Sequence, residues 1–234
     1  MIKNFDELNS KICDCSKSFD AKMVGENGKR AILLCGGTGC LSSNSAEIQE
    51  KFSELVKEHK MEDKVSVNKV GCFGFCSQGP FVKIYPEDTL YRLVTLDDVE
   101  EIFEKDIINH EVVERLLYIE PATKEQVIKQ DDINFYKKQV RVALHGCGQI
   151  NPEDIEEALG FDAFKGLIKA LSMSREDVIK EVLDSGLRGR GGGGFPTGRK
   201  WQFAFAQPDG EKYVVCNGDE GDPGAFMDRS ILEG

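Results

Sequence analysis

The chain has 234 residues and a formal net charge of −11 at pH 7. This acidity argues against nucleic acid as a partner, because phosphate backbones are bound by basic faces. No apolar run of about 18 residues occurs, so no membrane insertion is predicted. Residues 1–8 are polar and do not resemble a secretory signal. Eight cysteines in a chain expected to be cytoplasmic indicate metal binding or redox chemistry more than a disulfide framework.

The first part of the chain is predicted to contain a lead segment and one compact domain. Residues 1–26 are polar and partly helical, and Cys13 and Cys15 within them are expected to be free thiols. Residues 27–112 have the predicted order strand, helix, strand, strand, strand, helix. A strand–helix–strand unit implies parallel pairing, and the hairpin that follows adds antiparallel edges. The predicted strands are 30–34, 65–70, 81–85 and 91–94.

The second part of the chain is predicted to begin with a connector. Residues 113–139 are mixed and charged, and they are expected to lie on the surface of the second unit. Residues 140–234 combine predicted strands at 140–144 and 213–216 with helices that begin near residues 151 and 174. The predicted fold class is therefore α/β, or α+β, throughout the chain.

Four of the cysteines form two pairs at suggestive spacings. Cys35 and Cys40 have four residues between them, and Cys72 and Cys76 have three. Both pairs lie in glycine-rich loops after strands that are expected to be parallel neighbours, so they should meet at one edge of the sheet. Four thiolates there predict an iron–sulfur or zinc site. The wide spacings and the glycine amides favour a 2Fe-2S cluster over structural zinc.

A second unusual stretch is the glycine-rich loop at residues 185–201. Six glycines fall between Gly189 and Gly198, which allows backbone amides to contact an anion directly. The letters match G-x-G-x-x-G, but a Rossmann site needs that motif after a strand, and here it follows a predicted helix. The Rossmann interpretation is therefore rejected. Positive charge around the loop comes from Arg188, Arg190, Arg199 and Lys200.

The cysteine spacings, on this order of elements, resemble the thioredoxin-like 2Fe-2S ferredoxin family over residues 27–110. The same family supplies the small cluster-bearing subunit of respiratory complex I. The resemblance implies four metal ligands, namely Cys35, Cys40, Cys72 and Cys76.

Residues 140–234 resemble the NADH-binding FMN flavoprotein subunit of complex I. The two signatures are the glycine loop with Lys200 and Trp201, and the acidic loop from Asn217 to Arg229. The resemblance implies FMN contacts at Gly189, Arg190, Gly191, Gly192 and Lys200, and adenine stacking at Phe195 and Phe203. It further implies flavin-facing roles for Asn217, Asp219 and Glu220, with Glu220 as the catalytic candidate, and a contact of Asp222 with the nicotinamide half. Core packing is an equal alternative for Phe203, and Cys147 and Cys216 are expected to be small buried hydrophobes.

A cluster domain ahead of the N-terminal part of an FMN/NADH-binding domain resembles the larger diaphorase subunit of NAD(P)-linked and electron-bifurcating hydrogenases. This implies an oxidoreductase subunit that moves electrons between NAD(H) or NADP(H), FMN and iron–sulfur clusters. The implied partners are iron–sulfur and hydrogenase-type subunits of a hetero-oligomer. Because that family continues well beyond this length and there carries a 4Fe-4S cluster, the chain is expected to be a truncated fragment. A stand-alone 2Fe-2S electron-transfer protein and a zinc-bound interaction module stay open as alternatives.

Overall fold

A four-stranded sheet organises the first part of the chain in the computed structural model, which describes residues 2–208, 210–211 and 213–232. The strand order is β2-β1-β3-β4. β1 pairs in parallel with β2 and antiparallel with β3, and β3 forms a hairpin with β4. The predicted mixed α/β arrangement is confirmed. The strands are β1 (Arg30–Cys35), β2 (Val65–Val70), β3 (Val82–Tyr85) and β4 (Thr89–Tyr91).

The helices of the described residues differ widely in length. None of those in the described part of the chain combines the length and apolar composition that a bilayer crossing requires. A short antiparallel pair, β5 (Tyr118–Ile119) and β6 (Gln126–Val127), follows the four-stranded sheet in sequence. The helices are α1 (Phe5–Val24), α2 (Thr38–Leu41), α3 (Ser45–Glu58), α4 (Asp98–Ile102, continued by a π-helical turn Phe103–Ile108), α5 (Asn134–Lys137), α6 (Ile155–Gly160), α7 (Lys165–Leu171), α8 (Arg175–Asp184), α9 (Thr197–Phe205) and α10 (Met227–Leu232).

The central strand β1 is buried along its whole length. Side chains alternate across a strand, so Ile32 and Leu34 contact one core cluster while Leu33 and Cys35 contact another. The first cluster is completed by α3 and α4 through Ile48, Phe52, Val56, Val99 and Ile102. The second contains Cys40, Val70, Phe73, Phe81, Tyr118 and Tyr136. Cys35 is therefore presented at the end of a strand that is packed on both faces.

The lead segment is predicted to be partly helical, and the structure shows one long helix, α1, over most of it. Asn4 accepts a hydrogen bond from the Glu7 amide at 2.9 Å, and Gly25 ends α1 in the left-handed conformation with φ 67°. One face of α1 approaches α6 closely. A β-carbon at Gly160 would lie 2.7 Å from the Cys15 carbonyl oxygen, so this approach requires glycine.

The prediction that residues 113–139 form a connector on a second unit is wrong. Six of its apolar side chains are buried in the two cores beside the sheet, namely Val113, Leu116, Leu117, Tyr118, Ile133 and Tyr136. Its backbone also pairs with β4: the Leu90 amide donates to the Ile128 carbonyl at 2.8 Å, and the Arg92 amide donates to Leu116 at 2.9 Å. An edge strand leaves such groups unpaired, and this segment satisfies them.

The chain divides into two compact units, residues 1–162 with 218–234, and residues 163–217. This division does not follow the predicted segments 1–26, 27–112, 113–139 and 140–234, whose boundaries stay predictions. The predicted strands at 140–144 and 213–216 do not form. Val140 and Val214 are 92% and 100% exposed, because neither apolar run has a partner strand among the described residues.

A buried ion pair joins the start of β1 to the π-helical turn. The Arg30 guanidinium and the Asp106 carboxylate are 6% and 4% exposed, and they form a direct salt bridge. Tyr91 donates its hydroxyl to Asp106 and accepts a hydrogen bond from the Val113 amide at 3.1 Å. Burial, followed by the hydrogen bond to Asp106, raises the pKa of Tyr91. The network therefore links β1, β4 and the segment after α4.

Replacing Asp106 with Asn is expected to lower the free energy of unfolding by about 3–5 kcal/mol, because it leaves the buried Arg30 charge without its main partner. Urea unfolding followed by circular dichroism measures this loss. The matched control is Lys105→Gln at the neighbouring position. It removes the exposed salt bridge with Glu101 and should lower the free energy of unfolding by no more than about 0.5 kcal/mol. Equal losses in the two variants would contradict the role assigned to the network.

Candidate functional site

The parallel pairing of β1 and β2 brings the two cysteine pairs to one edge of the sheet. Cys35 lies opposite Val70 at the ends of these strands, so the loops that follow leave in the same direction. Cys35 is hydrogen-bonded to both Cys40 and Cys72. The Cys72 and Cys76 sulfur atoms are 4.0 Å apart. The predicted meeting of all four thiols is found in the structure.

The protonation of these thiols reflects their crowding. The hydrogen bond from Cys35 to Cys40, together with burial, raises the pKa of Cys35 to about 12. The same hydrogen bond lowers the pKa of Cys40, against burial, which raises it. The hydrogen bond to Cys35 and burial also raise the pKa of Cys72. Burial raises the pKa of Cys76. Cysteine ligates metals as the thiolate, so a cation bound here would displace protons from these sulfur atoms.

Backbone amides donate hydrogen bonds to the sulfur atoms of the site. The Gly74 amide donates to Cys72 Sγ at 3.3 Å. The Phe73 amide donates to Cys35, and the Phe81 amide donates to Cys40. Such donors stabilise negative charge on sulfur, and hydrogen bonds of this kind tune iron–sulfur centres.

Glycines in the loops make room for the thiols. A β-carbon at Gly37 would lie 2.9 Å from Cys72 Sγ and 3.4 Å from Cys35 Sγ, and one at Gly79 would lie 2.5 Å from Cys40 Sγ. Any other residue would push against a sulfur atom at these positions. Thiolate donors, amides directed at sulfur and a cradle lined by glycine fit an iron–sulfur cluster.

The thiols form a connected series of contacts in the order Cys40, Cys35, Cys72 and Cys76. Among the described residues, no three or more His, Cys, Asp or Glu side chains are grouped so that they could hold one metal ion. A 2Fe-2S cluster differs from a single ion, because it contains two irons and is held by four cysteines. Phe226, Arg229 and Ser230 line a cavity of about 150 Å³ together with Cys72 and Cys76. Phe226 and Arg229 belong to the acidic-loop signature, but no sequence signal places any of these three residues beside the thiols.

The glycine loop lies in the second unit, where it forms a tight turn before α9. The Gly189 amide donates to the Phe195 carbonyl at 2.9 Å, and Thr197 donates to Leu187 at 2.9 Å. The residues between them are open: β-carbons at Gly191, Gly192 and Gly193 would meet no described atom within 4 Å. Arg190 contacts the Arg188 carbonyl at 3.1 Å, and Lys200 lies on α9 and is exposed.

Phe195 and Phe203 lie near each other in the second unit. Their ring centroids are 6.4 Å apart with planes inclined by 43°. They are 43% and 56% exposed, so core packing does not account for either ring in this unit. Gly198 allows α9 to approach α8, since a β-carbon there would lie 2.6 Å from Leu183 Cγ.

The acidic loop belongs mainly to the first unit. Asn217 ends the second unit, whereas Asp219, Glu220 and Asp222 lie in the first and line a recess there of about 680 Å³. The Glu220 carboxylate accepts hydrogen bonds from the Asp228 amide at 3.0 Å and the Arg229 amide at 3.4 Å.

The two remaining cysteines of this part of the chain differ from each other. Cys147 is buried, as predicted, and donates to the Ser230 carbonyl at 3.3 Å. Cys216 is exposed, so the prediction that it is a buried hydrophobe is wrong. The strand expected to bury it does not form.

Comparison with known proteins finds two families in the chain. Residues 17–106 match the thioredoxin-like 2Fe-2S ferredoxin family, and residues 182–234 match the Nuo51 FMN-binding domain. HndC of the NADP-reducing hydrogenase of Solidesulfovibrio fructosivorans is 52% identical over 98 residues, which are 42% of this chain and 20% of that protein. An NADH-quinone oxidoreductase subunit of Aquifex aeolicus is 53% identical over 79 residues, 34% of this chain and 18% of that protein. The chain thus spans about a fifth of the length of these two relatives.

A third relative is covered over most of its length. The 2Fe-2S ferredoxin of Clostridium pasteurianum is 54% identical over 77 residues, which are 33% of this chain and 76% of that protein. The chain therefore belongs to the thioredoxin-like 2Fe-2S ferredoxin family, and it carries after that domain a segment that matches the Nuo51 FMN-binding domain.

Proposed function

We propose that this chain is the N-terminal part of an NAD(P)H:acceptor oxidoreductase subunit that passes electrons between a nicotinamide dinucleotide, FMN and iron–sulfur clusters. The observation that carries the proposal is the convergence of four thiols, in a chain that also matches an FMN-binding domain. The two relatives that belong to an NADP-reducing hydrogenase and to an NADH-quinone oxidoreductase support the class of reaction.

The first step of the proposal concerns the cluster. Cys35, Cys40, Cys72 and Cys76 would ligate a 2Fe-2S cluster as thiolates. The amides of Phe73, Gly74 and Phe81 would stabilise the negative charge on sulfur. Cys76 is exposed, which leaves one edge of the cluster accessible to an electron donor or acceptor.

The second step concerns the flavin and the nicotinamide. Bound FMN exchanges a hydride with a nicotinamide and single electrons with an iron–sulfur centre. Gly189, Gly191 and Gly192 would offer backbone amides to its phosphate, and Arg190 and Lys200 would add positive charge.

The roles of the remaining predicted site residues follow from their chemistry. Phe195 and Phe203, both partly exposed, would stack on the adenine of NAD(H) or NADP(H). Asn217, Asp219, Glu220 and Asp222 would accept or donate hydrogen bonds to the flavin, the nicotinamide half or water, with Glu220 as the catalytic candidate.

We further propose that the subunit works in a cytoplasmic hetero-oligomer with iron–sulfur and hydrogenase-type subunits. A second candidate function is a stand-alone 2Fe-2S electron-transfer protein with an incomplete flavin site. The match to most of the Clostridium pasteurianum ferredoxin favours it.

Anaerobic reconstitution of the 234-residue chain distinguishes these functions. Two irons and two acid-labile sulfides per chain, bound FMN and bleaching by NADH or NADPH would support the oxidoreductase. A reduced 2Fe-2S paramagnetic signal without flavin would favour the electron carrier. A colourless, zinc-containing protein would contradict both.

Replacing Cys72 with Ala removes one proposed ligand, and alanine offers no donor atom in its place. The variant is expected to lose more than half of the bound iron and the visible absorbance of the cluster. Iron and sulfide analysis after reconstitution measures this. Cys13→Ala, which changes an exposed cysteine outside the cluster loops, should load normally. An unchanged spectrum in Cys72→Ala would remove Cys72 from the ligand set.

Adding one methyl group tests the glycine cradle. Gly37→Ala is expected to lower cluster content, because the new β-carbon would lie 2.9 Å from Cys72 Sγ. Gly39→Ala, whose β-carbon would lie 3.6 Å from Cys76 Cβ, makes an ordinary contact and serves as the matched control. Visible absorbance per chain measures both. If the two variants bind equal amounts of cluster, the loop accommodates the added methyl group and the prediction is wrong.

The flavin site is tested by Lys200→Ala. Loss of a charged partner for the phosphate is expected to weaken FMN binding about tenfold, close to 1.4 kcal/mol. Titration of FMN fluorescence against the chain measures the dissociation constant. Arg175→Ala removes an equal charge from the exposed start of α8 in the same unit and should bind like the parent. The same weakening in both variants would indicate nonspecific attraction.

A further inference from the structure

Helix α10 covers one side of the cysteine site within the first unit. The cavity beside the thiols has a volume of about 150 Å³. One wall consists of the first cysteine loop with Cys72 and Cys76, and the other consists of Phe226, Arg229 and Ser230. Arg229 is the one residue with a formal charge among those that line this cavity.

Two hydrogen-bonded contacts hold α10 in this place. At its start, the Glu220 carboxylate accepts hydrogen bonds from the Asp228 and Arg229 amides. Near its end, the Cys147 thiol donates to the Ser230 carbonyl at 3.3 Å.

The segment that contains Cys147 is itself anchored to the second cysteine loop. The Gly71 amide donates to the Ile150 carbonyl at 2.9 Å. A β-carbon at Gly148 would lie 3.0 Å from the ring of Phe73, so the two segments are in close contact. Helix α10 is thereby tied to the loop that carries Cys72 and Cys76.

The charge of Arg229 lies next to the thiols. Arg229, Cys72 and Cys76 line the same cavity of about 150 Å³. Arg229 is partly buried, so water screens its charge less than that of an exposed side chain. Reduction adds one negative charge to a cluster, and reduction potential depends on net charge, hydrogen bonds to sulfur and exposure. A fixed positive charge here favours the reduced state.

We propose that Arg229, positioned by Glu220 beside Cys72 and Cys76, raises the reduction potential of the cluster. The inference rests on the proposed 2Fe-2S site and deepens it, since it assigns a tuning residue and a positioning residue to that site. It gives Glu220, in this chain, a role toward the cluster that is separate from any contact with flavin.

The test is a redox titration of the reconstituted chain, followed by visible absorbance and the paramagnetic signal of the reduced cluster. Arg229→Gln is expected to shift the equilibrium about tenfold toward the oxidised form, which for one electron is a potential lower by about 59 mV. Arg229→Lys, which keeps the charge, should retain most of the parent value. Lys57→Gln removes an equal charge from the exposed face of α3 and should leave the potential unchanged.

Glu220→Ala separates positioning from simple charge. If Glu220 acted only through its own negative charge, its removal would raise the potential. If it positions α10, the potential falls, and the additional substitution Arg229→Gln then lowers it little further. A rise in potential, or full additivity of the two substitutions, would overturn the positioning role.

The outcomes also separate this inference from the proposed function. A parent chain that binds no 2Fe-2S cluster overturns both. A parent and an Arg229→Gln variant that load equally and share one potential overturn the inference alone, with the proposed cluster intact.

Discussion

The parallel pairing of β1 with β2 is the constraint on which the candidate site depends. Parallel strands end at the same edge of a sheet, so the loops after Cys35 and after Val70 emerge side by side. An antiparallel arrangement would send them to opposite edges and separate Cys35 and Cys40 from Cys72 and Cys76. Helix α3 supplies the crossover that makes parallel pairing possible, and its apolar face covers the sheet.

Both ends of strand β1 are buried. The start of the strand contributes to stability, and its end contributes to the thiol site. At its start, Arg30 pairs with Asp106 and connects to Tyr91, which resists sliding of β1 against β4 and the π-helical turn. At its end, Cys35 takes part in the thiol cluster. A strand anchored by a buried charge pair at one end presents its last side chain in a defined position at the other.

Glycines allow other atoms to approach the backbone closely at several positions around the cysteine loops. Gly37 and Gly79 admit sulfur atoms that a β-carbon would displace, and Gly148 admits the ring of Phe73. In the glycine-rich loop before α9 the situation is reversed, because Gly191, Gly192 and Gly193 have open space around them. The glycines around the cysteine loops permit close packing, whereas those of the glycine-rich loop leave backbone amides accessible to a ligand.

Sequence reasoning failed where a local pattern depended on a distant partner. The runs at 140–144 and 213–216 are apolar enough for strands, yet a strand also needs a neighbour to pair with, and the described part of the chain offers them none. The mixed and charged composition of residues 113–139 predicted a surface connector, although several of their apolar side chains, among them Leu117 and Tyr136, complete the cores beside the sheet and their backbone covers the edge of β4. Long-range pairing of this kind leaves no periodic trace in the segment itself.

The sequence by itself determined the order of strands and helices in the cluster domain, the four cysteines at its loops and the two loops that resemble a flavin site. Those features are local, since they depend on periodicity, spacing and residue type. Only the tertiary structure decided that the amides of Phe73, Gly74 and Phe81 point at sulfur, and that α10 brings Arg229 beside Cys72 and Cys76. Contacts between residues more than 150 positions apart follow from packing in three dimensions, which spacing along the chain does not encode.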